Sequence, residues 1–157
     1  MSSRQSRDSV PCARLPYTPP FDWEFFLAFH GARALPGVEQ VDGDCYRRTV
    51  RCGDYVGRLG LQPVADDALV LSLTPHNDGA LAALSVQVRR AFDLDADPAP
   101  IAAHLATDPL LKVLLARRPG LRVAGSVDGF EQAVRAILGQ QISVRATIKE
   151  PHLPKLM

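Results

Sequence analysis

Three turn signals, Asp42-Gly43, Gly53-Asp54 and Asp66-Asp67, cut residues 38–73 into short pieces, and this punctuation limits the possible folds more than any other feature. The pieces between them, residues 38–41, 45–51, 55–61 and 68–73, are rich in aliphatic, aromatic and β-branched side chains. None is long enough for a stable helix, and Tyr55, Gly57, Leu59 and Leu61 alternate onto one face. Links this short join antiparallel neighbours, so the segment is expected to form an antiparallel meander.

Helices are expected on both sides of the meander. Pro19-Pro20-Phe21 leads into the first, with Asp22 as N-cap and Phe21 and Phe26 at hydrophobic-staple spacing. It carries Trp23, Phe25, Phe26, Leu27 and Phe29 before Gly31. That helix is apolar on more than one side and should be sandwiched between two partners. The second, over residues 79–92, turns Leu81, Leu84, Val88 and Phe92 inward. The order helix, strands, helix predicts an α+β class: an antiparallel sheet with both helices on one face over residues 17–94, and Trp23, Phe26, Leu71 and Leu84 in one core. Residues 1–16, polar and without a period, read as a flexible tail.

Pro98 and Pro100 mark a boundary, and everything after about residue 95 reads as helical. Residues 101–105 form a short piece, Asp108-Pro109 starts a helix and Arg118-Pro119-Gly120 ends it. Asp128 then opens another, with Glu131 three residues on as a capping-box pair. Phe130, Val134, Ile137 and Leu138 give it an apolar stripe, which Gly139-Gln140-Gln141 interrupts. Periodicity alone describes this as a capped core helix with a polar end.

The chain has 157 residues, enough for one core or for a small domain plus part of a second. No apolar run approaches a membrane span and the N-terminus lacks the apolar core of a signal peptide. Three cysteines fit a reducing cytoplasm better than a disulfide framework, so a cytoplasmic location is expected. Net charge is only +1, but residues 112–145 hold Lys112, Arg117, Arg118, Arg122, Arg135 and Arg145 against Asp128 and Glu131. That excess suits phosphate contact, and a solvated basic face nearly as well. Cys45 and Cys52 have six residues between them and no His pair nearby, and His30, His76, His104 and His152 are scattered. No metal or cofactor is expected.

The run Phe130-Glu-Gln-Ala-Val-Arg-Ala-Ile-Leu-Gly-Gln-Gln-Ile-Ser143 resembles the signature of the alkylation-repair DNA-3-methyladenine glycosylase II family. Pro19-Pro-Phe-Asp-Trp23, Ala32-Arg-Ala-Leu-Pro-Gly-Val-Glu39, Phe92-Asp-Leu94 and Arg118-Pro-Gly-Leu-Arg122 look like further landmarks of it, so the resemblance spans roughly residues 17 to 147. It implies an N-terminal domain like one repeat of the TATA-box-binding fold, followed by a helical domain that does the chemistry, here residues 95–147. It implies base-excision repair: an alkylated base in double-stranded DNA is flipped into an aromatic-lined pocket and its N-glycosidic bond hydrolysed. On the motif, Gln141 falls at the position that fills the vacated space through the minor groove, with Gln140, Ser143 and Arg145 beside it as DNA contacts. Phe29 falls where the family sets an aromatic against the flipped base. An exposed helix-end glutamine and a core phenylalanine are the plain alternatives.

The chain also departs from the family. The catalytic aspartate and the helix-hairpin-helix of the family lie well downstream of the motif and have no counterpart here, so no residue of this chain is expected to be catalytic. Leu35-Pro36-Gly37-Val38 has the hairpin's opening letters, but Glu39 replaces its second glycine and strand signals follow. After Thr147 the likeness stops, and Pro151 and Pro154 break any helix, so residues 148–157 read as an unrelated tail of a frameshifted or truncated gene. The expectation is a catalytically incomplete N-terminal portion of a glycosylase. The rival is a non-catalytic DNA-binding module or an inert product. No oligomer is indicated.

Overall fold

A computed structural model describes residues 11–141, the Gln141 side chain excepted. Its elements are β1 (Cys12–Pro16), α1 (Trp23–Gly31), β2 (Glu39–Asp42), β3 (Cys45–Cys52), β4 (Tyr55–Val64) and β5 (Ala68–Thr74). Helices α2 (Asp78–Ala91), α3 (Pro98–Leu105), α4 (Pro109–Arg117) and α5 (Gly129–Gln141) follow. The strands form one antiparallel sheet in the order β1-β5-β4-β3-β2. The expected meander is its β2 to β5 portion, and the α+β class holds.

Register explains which side chains the helices cover. Tyr46 pairs with Leu61 and Arg48 with Leu59, while Leu61 and Leu59 pair in turn with Leu71 and Leu73. Because side chains alternate, these positions share one face, and Leu59, Leu61, Leu69, Leu71 and Leu73 are essentially inaccessible there. Phe26 and Leu27 of α1 and Leu84 and Val88 of α2 complete the same core. Each such leucine contributes about 1.5–3 kcal/mol by leaving water. Trp23 lies at the edge of the core rather than inside it, since its indole N–H reaches the Asp44 carbonyl at 2.9 Å.

Local chemistry sets the turns and helix starts. The β2–β3 and β3–β4 links are Gly43-Asp44 and Gly53-Asp54, each with its glycine at φ +59°. The first turn thus sits one residue beyond Asp42-Gly43, where a two-residue hairpin link needs a residue with positive φ. Asp66 and Asp67 both take the left-handed conformation in the β4–β5 link, which aspartate tolerates better than most residues. At the start of α1, Asp22 accepts the Phe25 N–H and Phe21 packs edge-on to Phe26 with centroids 5.7 Å apart, as the staple spacing predicts.

Two findings differ from the sequence reading. Residues 12–16 are not tail but strand β1, paired with β5 along its whole length. The strand is too short, and too enclosed by Pro11 and Pro16, to show a period. It sits at the sheet edge, where proline is tolerated. The second concerns residues 118–125, which fold back onto the α+β layer. Asp22 N–H donates to the Gly120 carbonyl at 2.9 Å and Gly125 N–H to the Ala91 carbonyl at 2.8 Å. Arg122 donates to the carbonyls of Asp93, Ala96 and Thr18. A side chain at residue 120 would strike the Asp22 nitrogen, so only glycine allows this approach. The second face of α1 is covered here, with the Arg118 guanidinium 4.5 Å from the Phe25 ring centre. Helices α3 and α4, by contrast, bury no residue. Of the expected tail over 148–157, every residue lies outside the described ones.

The strand assignment has a direct consequence at Leu15, which is 4% exposed. A Leu15→Ala variant is expected to lose about 2–4 kcal/mol of stability in urea unfolding. A loss below about 0.5 kcal/mol, the level for a surface change, would return residues 12–16 to a tail.

Candidate functional site

The end of α1, the inner faces of β2 and β3, and α5 enclose a cavity of about 460 Å³. Phe29 and His30 line it from α1, Arg33 from the turn that follows, Tyr46 and Arg48 from β3, and Val134 and Leu138 from α5. Besides Arg33, its wall holds four charges that pair with one another. Arg48 donates to Glu131 at 2.6 Å and stands 3.8 Å from Glu39. Arg135 donates to Glu39 at 2.6 Å, to Glu131 at 2.8 Å through Nε, and to the Arg33 carbonyl at 3.0 Å. The Tyr46 hydroxyl donates to Glu39 at 2.6 Å. Arg48 and Glu39 are only 6% and 5% exposed.

Two arginines and two glutamates sum to zero, which is what makes their burial tolerable. Burial alone would raise the Glu39 carboxyl, but hydrogen bonds from Tyr46 and Arg135 and the charges of both arginines outweigh it and hold it below its ordinary value. For Arg48 and Arg135, burial works against the charge and the facing oxygens more than reverse that. The Tyr46 hydroxyl is pushed up by burial and by its bond to Glu39, so it stays a donor.

His30 lies beside this cluster, stacked on Phe26 at 4.5 Å and near Phe92 and Tyr46. Its Nε2 is buried with no hydrogen-bond partner among the described residues. Burial lowers its pKa from 6.5 to about 4, with Glu39 opposing that and Arg135, Arg48 and Arg33 adding to it.

The residues singled out by sequence meet only in part. Phe29 is half-buried, opens on the cavity, and carries the Arg33 guanidinium 3.9 Å from its ring centre. Gln140 is exposed at the end of α5. Gln141 is the last described residue of that helix; its side chain, Ser143 and Arg145 lie outside the described residues. Asp128 caps α5 by accepting the Glu131 N–H at 3.0 Å, but the reciprocal half of the capping box is absent. Asp128 N–H goes to Ser126 instead, and the Glu131 carboxylate goes to the two arginines. The cluster itself escaped sequence reading. A signal existed, since alternation with Tyr46 and Val50 turns Arg48 inward, and a charge on an inward strand position demands a partner. Among the described residues no group of three or more His, Cys, Asp or Glu could hold a metal ion, and no helix is long and apolar enough to cross a membrane.

This arrangement of a helix-covered antiparallel sheet with a following helical segment is the fold of a DNA-glycosylase N-terminal domain. It superposes on the 3-methyladenine DNA glycosylase of Archaeoglobus fulgidus with a TM-score of 0.76 at 22% identity, covering 87% of this chain and 47% of that one. The family model of the AlkA N-terminal domain matches residues 12–128, and the chain belongs to that family. It is 38% identical over 136 residues to DNA-3-methyladenine glycosylase 2 of Escherichia coli, covering 86% of this chain and 46% of that protein. It is 40% identical over 134 residues to the probable bifunctional transcriptional activator/DNA repair enzyme AlkA of Mycobacterium tuberculosis, covering 85% and 27%. The chain thus spans less than half the length of these relatives.

The buried imidazole of His30 sets a pH dependence. A base whose folded pKa is depressed lets the unfolded chain bind more protons, so its contribution is complete above pH 6.5 and falls as pH drops toward 4. The loss across that window is about 3 kcal/mol. Urea unfolding of a His30→Leu variant is expected to show a shallower fall between pH 6.5 and 4. Superimposable pH profiles for the two proteins would contradict a neutral buried His30.

Proposed function

We propose that this chain takes part in repair of alkylated double-stranded DNA, and that it supplies recognition of the flipped base rather than the bond-breaking group. The observation that carries this is the cavity shared by Phe29 and α5, in a chain 38% identical over most of its length to a DNA-3-methyladenine glycosylase. Phe29 offers an aromatic wall for an extruded base. Gln141, at the end of α5, is the side chain that fills the gap left in the duplex. An amide there can stack and hydrogen-bond the orphaned partner base. Gln140, Ser143 and Arg145 contact the adjacent backbone. Extrusion costs a few kcal/mol and least for a damaged base, which gives selectivity before any chemistry.

Cleavage of the N-glycosidic bond needs a free carboxylate beside the anomeric carbon. The two carboxylates in the cavity wall, Glu39 and Glu131, are each paired with arginine, and Asp128 is committed to the start of α5. None is available without breaking a buried ion pair or a cap. The three cysteines are free, which suits a cytoplasmic location.

Fluorescence anisotropy with a duplex carrying a tetrahydrofuran abasic site tests this reading. Binding is expected to be weak, to fall steeply with salt, and to favour the abasic duplex over an intact one. Gln141→Ala should abolish the preference, Phe29→Ala should leave it because an abasic site has no base to enter the cavity, and no 3-methyladenine should be released from methylated duplex. Equal affinity for both duplexes would contradict the recognition role. Turnover lost in Asp128→Asn would make Asp128 catalytic.

A further inference from the structure

Helix α5 has a position to keep and almost no packing to keep it with. None of its described residues is buried, and Phe130 and Ile137 are 71% and 64% exposed. Val134 and Leu138, which face the α+β layer, line the open cavity instead of meeting a packed surface. What holds the helix is directional charge. Glu131 and Arg135 lie one turn apart on a single face and engage Arg48 and Glu39 respectively. Arg135 also donates to the carbonyl of Arg33, in the turn that follows α1 and four residues beyond Phe29. Each of these two pairs is a single short charge-assisted contact, but Arg135 spreads its donors over Glu39, Glu131 and the Arg33 carbonyl, so together they restrain both the place and the rotation of the helix. Gln140 stands five residues beyond Arg135, about 7.5 Å along the axis.

We propose that Glu39, Arg48, Glu131 and Arg135 are positioning residues that set the placement of the Gln140-Gln141 end of α5 relative to Phe29. The inference rests on the recognition role given above to Phe29 and Gln141. While the four are paired, the Gln140-Gln141 end of α5 is held at a fixed distance from Phe29. With one pair broken, α5 keeps only the half-buried Val134 and Leu138 to hold it in place. A base extruded into the cavity would then lose the partner helix that keeps it out of the stack.

Native-state hydrogen exchange on the full chain, paired with the abasic-duplex titration, decides the matter. In Arg135→Gln and Glu131→Gln, amides of residues 133–140 are expected to exchange at least about tenfold faster, while those of β4 and β5 keep wild-type protection. Both variants should lose the preference for the abasic duplex. Arg135→Lys, which keeps the charge without the fork, should recover only part of each effect, and it serves as the working variant if Gln at 135 fails to fold. Arg47→Gln, which breaks an exposed pair with Asp42, should change neither readout. Unchanged α5 exchange in both glutamine variants overturns the proposal. Faster exchange with the abasic preference intact overturns it equally. A wild-type chain without any abasic preference sinks the recognition role instead, and the exchange pattern then still shows whether the four charges place α5.

Discussion

The ring of Glu39, Arg48, Glu131 and Arg135, buried at Glu39 and Arg48 and half-buried at the other two, is the interaction through which sheet, α1 and α5 become one body. Taking four charges out of water is costly, and only mutual pairing with additional hydrogen bonds makes it acceptable. Here Tyr46 and the Arg33 carbonyl supply those bonds. The arrangement is therefore close to all-or-none. An apolar contact of similar size would tolerate sliding, whereas loss of one member here leaves a desolvated charge and costs about 3–5 kcal/mol.

The sheet serves this ring. Inward alternation puts Tyr46 and Arg48 two residues apart on β3, and the β2–β3 register brings Glu39 opposite Arg48. The leucine layer from β4 and β5, covered by α1 and α2, fixes that register, because a slip of one residue would turn every leucine to solvent. Residues 118–125 then return across the layer and aim α5 at the ring. Core packing, strand pairing and buried charge thus act in sequence, and the cavity between Phe29 and α5 is the space they leave.

Much of this was legible in the residues. Turn dipeptides and alternation gave β2 to β5, while Asp22, Asp108 and Asp128 announced three helix starts that the structure caps as expected. Strand β1 was hidden because the four residues between Pro11 and Pro16 carry no measurable period, and its evidence is its partner β5. The return of residues 118–125 was hidden because its anchors are backbone carbonyls, which every residue possesses. The charge ring was half visible. An inward Arg48 asks for a partner, but nothing local names Glu131, 83 residues away. His30 gave no signal, since its burial comes from aromatic neighbours on α1, β3 and the end of α2.

A double-mutant cycle between Arg48 and Glu131 tests the central claim most directly. Arg48→Met and Glu131→Leu would be measured singly and together by urea unfolding at neutral pH. If the ring is the joint between sheet and α5, each single change should cost several kcal/mol. The double variant should then cost clearly less than their sum, with a coupling above about 1 kcal/mol. Additivity within about 0.5 kcal/mol would show that the two side chains are neighbours without a shared role, and would contradict this account.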